Sequence, residues 1–218
     1  MNRRRLLLLA AHSAPLAAFA GAAFGQAKLP VRQNIEYRMI EPQPTETGDR
    51  IEVIDFFWYG CPFCNQLLPH FEEWAKRKPA DVVVRRIPVI LRDNWAPHAR
   101  IYYTLELLNE VERLHAKVFH SYHVEELAMS KPDVMEQWAV KNGIDARKWK
   151  EAYFSPETDG KMARAARATK TYTIEGTPAC VVDGRYYTSG SMAPSLKEMM
   201  PVIDELVKIA RDRRAKAK

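Results

Sequence analysis

Cys61-Pro62-Phe63-Cys64 follows directly on the run Ile51-Glu52-Val53-Ile54-Asp55-Phe56-Phe57-Trp58-Tyr59-Gly60. No other stretch restricts the fold as strongly. Alternating β-branched and aromatic residues that run into a glycine describe a strand that ends abruptly. A cysteine pair at the start of the next helix lies on one face, close enough to form a disulfide after a small adjustment. The first thiol also meets the positive end of the helix dipole, which favours its thiolate. This combination describes a dithiol that opens and closes, with an outward-facing first sulfur.

The other cysteine and histidine positions narrow the chemistry further. The chain has 3 cysteines, and the odd one is Cys180. Structural bridges in a secreted protein usually involve an even set at wide spacings. A zinc site needs four ligands, and the sequence has no second Cys-x-x-Cys. His70 is a possible ligand by position, but a helix-surface histidine is the plainer reading. His115, His120 and His123 cluster without a carboxylate at compelling ligand spacing. No metal and no other cofactor is therefore expected beyond the Cys61–Cys64 couple itself.

The first residues indicate the compartment. Arg3, Arg4 and Arg5 precede Leu6–Ala11 and an alanine-rich run ending in small residues at Ala23 and Gly25. This has the form of a bacterial-type export signal, 1–25, cleaved near Gly25 or Ala27, and the general and twin-arginine routes both stay open. His12, Ser13 and Pro15 interrupt the run and argue against a spanning anchor. Export implies the periplasm, where disulfides persist. The whole chain carries 33 Lys+Arg against 27 Asp+Glu. Setting aside the three arginines of the signal leaves 30 against 27, too slight an excess to indicate nucleic acid. The cationic tail Arg211–Lys218 is expected to be a solvated helix end, complementing the dipole there.

A strand is expected over Glu36–Ile40, another over Ile51–Trp58, a helix over Cys61–Lys76 kinked at Pro69, and a strand over Val82–Val89. Strand, crossover helix and strand make a right-handed parallel unit. Helices then run from Pro97 to Tyr172, with breaks near Lys131-Pro132, Asn142-Gly143 and Ser155-Pro156. Ala179–Val182 and Arg185–Thr188 form a hairpin about Asp183-Gly184, a strong two-residue turn signal. A helix over Ser191–Ala210 closes the chain.

These residues together resemble the DsbA family of the thioredoxin superfamily. The resemblance rests on the aromatic strand, Cys-Pro-x-Cys, the helix containing Pro69, the helical insertion, Gly176-Thr177-Pro178 and the closing hairpin and helix. It covers roughly Glu36–Ala210. It implies an α/β thioredoxin-like fold, a central mixed sheet flanked by helices, with 26–94 and 169–218 forming the two parts of one domain around an inserted helical domain, 95–168. By the same resemblance Cys61 is the exposed nucleophile and Cys64 the resolving cysteine. Thr177-Pro178 is then a cis-proline loop facing them, whose backbone pairs with an incoming peptide as an added strand. Asp55 is the buried acid beneath the site, and Arg86 its cationic partner, with Arg85 as the alternative because strand parity is open. Pro62 and Phe63 tune the couple. Phe63 stands where the best-known member has histidine. It cannot donate a hydrogen bond to the Cys61 sulfur, so a less acidic Cys61 and a weaker oxidant than that member are expected.

The implied activity is thiol:disulfide interchange that introduces disulfides into reduced, unfolded exported proteins, with re-oxidation by a DsbB-like membrane quinone reductase and a monomeric state. A reductase or isomerase on the same fold is the second reading, although the segment before Glu36 leaves no room for the added dimerisation domain of such isomerases. A non-enzymatic metal-binding module using Cys61 and Cys64 is the third. Cys180 reads either as a small buried hydrophobe or as a third redox thiol. Trp58, Tyr59, Phe63 and Trp95 are candidates for an apolar docking surface. Core packing is the alternative for Trp58, while Tyr59 and Phe63 are the better surface candidates.

Overall fold

The structure is a computed structural model that describes residues 31–217. The expected export signal, 1–25, lies outside the described residues. At the centre is β2 (Ile51–Phe57), in which every residue is buried. Such a strand needs cover on both faces, and it has it. Ile51 and Val53 face one core with Leu67, Phe71, Ile203 and Leu206. Ile54 and Phe56 face the other with Ile101, Leu105 and Ala165. Apart from the small Ala165, each of these apolar side chains stabilises the fold by about 1.5–3 kcal/mol on burial.

Five strands form one mixed sheet in the order β1-β5-β4-β2-β3. β2 runs parallel to β3 (Val82–Pro88), with Asp55 opposite Arg86. It runs antiparallel to β4 (Ala179–Val182), with Asp55 opposite Cys180. The edge strand β1 is Arg38–Met39, shorter than the Glu36–Ile40 expected. The left-handed turn at Asn34 (φ 64) and the bridge between Gln33 and Tyr37 hold the preceding residues in another course.

The parallel connection is α1 (Pro62–Arg77), which continues through Pro69. Between β3 and β4 come α2 (Ala96–Leu107), α3 (Val111–His123), α4 (Pro132–Lys141), α5 (Ala146–Tyr153) and α6 (Pro156–Thr171). The three expected breaks are present. Pro132 and Pro156 open their helices at the first turn, where a missing N–H costs nothing. The structure adds a break at Leu108–Glu110, where Asn109 takes φ 57.

β5 (Tyr186–Ser189) returns after the Asp183-Gly184 turn, one residue later than expected. Both turn residues have positive φ, 53 and 64, as the twist of a two-residue hairpin demands. The last helix, α7, is Met199–Lys216, not Ser191–Ala210. Pro194 disfavours helical backbone at Ala193, and the Ser195 hydroxyl accepts from the Glu198 amide just before the helix. At its far end the arginines are not simply solvated. Arg213 and Arg214 both bond the buried carboxylate of Asp183, and Arg211 bonds Asp81. These pairs fix the hairpin tip and the end of β3's entry loop to α7.

Gly184 cannot be replaced without displacement. A Cβ there would stand 2.2 Å from the Gln43 carbonyl oxygen, on a backbone that L-residues rarely adopt. Gly184→Ala is expected to lower the urea-unfolding free energy by about 2 kcal/mol or more. An unchanged unfolding midpoint would contradict this account of the turn.

Candidate active site

β2 ends at Phe57, and the chain turns through Trp58-Tyr59-Gly60 to deliver Cys61 to the N-terminus of α1. Gly60 is required because the Trp58 indole folds over it, leaving only 2.3 Å to where a Cβ would stand. Cys61 is the N-cap residue. Its sulfur takes the place of the usual capping oxygen and accepts the Cys64 amide at 3.4 Å. Pro62 at the first helical position is pre-set for helix and forgoes an N–H that nothing would accept.

The two thiols are unbonded and chemically unequal. Cys61 has its pKa lowered to about 6. The largest cause is the hydrogen bond from the Cys64 side chain. Burial opposes it, while the Thr177 side chain and the Cys64 and Phe63 amides add to the lowering. Burial pushes the Cys64 thiol well above its ordinary value, and its bond and charge interaction with Cys61 push it further. The expectation of an outward-facing Cys61 is corrected in one respect. The residue keeps only 5% of its accessible surface, because the cap geometry and the proline loop enclose it.

That loop faces the pair as expected. The Thr177–Pro178 bond is cis, and the Cys61 thiol donates to the Thr177 carbonyl at 3.3 Å. Beside it runs a groove of about 590 Å³, lined by Phe63, Gln66, Thr177, Pro178, Tyr187 and Leu196 among others. Phe63 stands at its lip with 57% of its surface exposed. Tyr59 does not share that surface. It is fully buried, packed on Phe57 and Phe119, because the turn folds it back into the core. Trp58 stacks on Trp95 with centroids 4.0 Å apart.

Asp55 is buried beneath the pair, and burial raises its pKa to about 7 against the opposing charge of Arg86. The expected Asp55–Arg86 ion pair is not formed. Arg86 Nη2 bonds Glu72 Oε1 at 2.6 Å, since Glu72 reaches across from α1. Arg85, on the opposite face, bonds Glu52 and Glu46. Glu52 is a second buried acid in β2 that the sequence reading did not single out. The pattern of two acids and two arginines on paired strands was its signal.

Cys180 is fully buried in β4, and burial with the nearby Asp55 charge pushes its thiol well above the usual value. It packs as a small apolar residue of the core. His115 is buried against Tyr59, His123 bonds the Tyr59 carbonyl, and His120 is exposed. They converge on no shared point. Among the described residues no group of three or more His, Cys, Asp or Glu is placed to hold a metal ion.

Three outcomes follow from these environments. Alkylation of the reduced protein is expected to follow a single thiol, Cys61, with a midpoint near the pKa of about 6. Phe63→His, which adds a donor and a partial positive charge, is expected to move that midpoint down by about half a pH unit or more; no change or a rise contradicts it. Asp55 has a folded-state pKa above its ordinary 3.8, so ionising it costs stability as pH rises from there towards about 7. Asp55→Asn is accordingly expected to stabilise the protein by about 2 kcal/mol or more near pH 8, with a gain that vanishes near pH 4. A gain independent of pH in urea unfolding would refute this.

Comparison with known proteins agrees with the geometry. The family model described as "DSBA-like thioredoxin domain" matches residues 52–199. The thiol:disulfide interchange protein DsbA of Burkholderia cepacia is 32% identical over 177 residues, covering 81% of this chain and 84% of that protein. The protein of the same name from Bordetella parapertussis is 35% identical over 167 residues, 76% of this chain and 79% of its own. The crystal structure of Pseudomonas aeruginosa DsbA superposes with a TM-score of 0.81 at 30% identity, over 86% of this chain and 97% of that one. With Cys61 and Cys64 paired at a helix start against a cis-proline loop, this chain is a thiol:disulfide oxidoreductase, and it belongs to the family of DSBA-like thioredoxin domains.

Proposed function

We propose that the protein works in the oxidising direction, in the periplasm, forming disulfides in reduced, unfolded exported proteins through Cys61 and Cys64. The observation that carries this reading is the inequality of the two thiols, with Cys61 lowered to about 6 and Cys64 raised. Each tenfold gain in acidity at Cys61 favours the thiolate by about 1.4 kcal/mol. The reduced protein benefits from that stabilisation and the disulfide form does not. The couple is therefore drawn towards reduction, which makes the disulfide form an oxidant.

In the reaction a substrate thiolate attacks Cys61 of the disulfide. The Cys61–Cys64 bond breaks, and its electron pair leaves on Cys64, which takes up a proton. A second substrate thiolate attacks the substrate sulfur of the mixed disulfide and expels Cys61 as its stabilised thiolate. The substrate is oxidised by two electrons and the protein reduced by two. The Cys61–Cys64 couple is the redox group of the reaction, with no added cofactor.

The roles of the surrounding residues follow from their places. Pro62 and Phe63 shape the cap, and Asp55 exchanges protons with Cys64. The charge of Arg86 moderates Asp55. Thr177 and Pro178 present backbone to an extended substrate lying in the adjoining groove, with Phe63 as an apolar contact. A membrane quinone reductase of the DsbB type fits as re-oxidant, and the protein acts as a monomer. The export-signal pattern at 1–25 supports the periplasmic assignment.

The test sets two activities side by side. The disulfide form is expected to oxidise reduced, unfolded ribonuclease rapidly, while the dithiol form reduces insulin slowly. Rapid insulin reduction without net oxidation of ribonuclease would transfer the protein to the reductase reading. Cys61→Ser is expected to abolish both activities.

A further inference from the structure

One buried histidine has a place near the chemistry that the exchange reaction as described leaves unused. Asp55, Cys64 and His115 line one small pocket of about 10 Å³, with Leu67, Phe71, Phe119 and Pro178 among its other walls. That volume suits one water molecule. His115 enters from α3, and its ring is gripped edge-on by Phe57 at 5.0 Å and Phe119 at 5.3 Å. Its Nδ1 is 2.8 Å from the Tyr59 hydroxyl.

That contact ties the tautomer of His115 to the direction of the Tyr59 hydroxyl. Burial keeps Tyr59 protonated and His115 neutral. In the arrangement taken here the Tyr59 hydroxyl donates and Nδ1 accepts. A neutral imidazole that accepts at Nδ1 carries its proton on Nε2. With that tautomer the cavity has a carboxyl wall, a thiol wall and a wall whose remaining polar atom is an N–H donor.

We propose that His115 is a positioning residue of the exchange reaction, whose Nε2–H holds the single water that carries the proton between Asp55 and Cys64 and thereby favours ionised Asp55. The inference rests on the dithiol chemistry proposed above. Other groups face the imidazole too. Asp55 and Tyr59 approach from β2 and its turn, Cys64 from α1, Tyr102 from α2, and the Arg86 charge acts from β3. Of these, Arg86 is already engaged with Glu72, and Tyr59 is engaged with His115 itself. The Nε2–H is thus a neutral donor that can serve the anion without adding a buried charge.

The proton step is read most directly in one half-reaction. Oxidised glutathione added to the reduced protein forms a mixed disulfide at Cys61 and releases one glutathione. Cys64 then loses its proton to Asp55, attacks the Cys61 sulfur and expels the second glutathione. The rate of that second release is expected to rise with pH about a midpoint near 7, the Asp55 value. His115→Asn keeps an acceptor for the Tyr59 hydroxyl and loses the donor at the Nε2 position. It is expected to move the midpoint up by about half a pH unit or more. His115→Gln restores an N–H near that position and is expected to return the midpoint towards wild type. Tyr59→Phe frees the tautomer and is expected to shift the midpoint in the same direction as His115→Asn. A midpoint unmoved in His115→Asn, or equal shifts in Asn and Gln, overturns the proposal. If the His115 variants do not fold, an unmoved midpoint in Tyr59→Phe overturns it. A wild-type protein that forms no mixed disulfide overturns this inference and the proposed function together; an active wild type with unmoved variants overturns this inference alone.

Discussion

The Cys61 sulfur is both the cap of α1 and the reacting atom. Everything else in the site depends on that double use. A capping group accepts hydrogen bonds from the free amides of a helix start, and an anion accepts them better than a neutral thiol. The Cys64 side chain supplies the largest part of the bias toward thiolate, and the cap turns ordinary helix construction to the same end. The fold has to hold the cap rigid. Trp58 packed over Gly60, Pro62 at the first helical position and the Thr177 carbonyl on the thiol constrain it from three directions.

Rigidity alone would not separate the two sulfurs. Burial does that. Cys64 lies one helical turn deeper, over Asp55 and the second core, where its anion is costly. Asp55 is kept near neutrality's midpoint by the same burial, since Arg86 is drawn off to Glu72. The site therefore pairs a sulfur that keeps its negative charge with one that must be given a proton, and places an acid of suitable strength beneath the second. A sheet whose central strand is covered on both faces is what makes so deeply buried a floor available.

Local chemistry was readable in the sequence wherever a residue imposes its own backbone. Cys-Pro-x-Cys after an aromatic strand, Asp183-Gly184 between two short strands, and prolines at 132 and 156 all appear in the structure in the places their conformations dictate. The cis-proline loop was legible only by resemblance. What escaped was set by partners distant in sequence. Tyr59 reads as a surface aromatic beside the cysteines, but His115, 56 residues on, and Phe119 draw it inward. Arg85 and Arg86 cannot be assigned to acids until the parallel register fixes which face each takes and α1 brings in Glu72. The apolar spacing places the start of α7 eight residues too early because it runs back through Pro194, where turn and cap chemistry overrule it.

The central claim is that the thiolate at Cys61 stabilises the reduced protein. Equilibration with glutathione buffers of known ratio measures that directly, as the fraction of protein reduced at each ratio. A reduction potential more positive than about −200 mV is the expected result. A value more negative than about −250 mV, with the disulfide the favoured form, would contradict it.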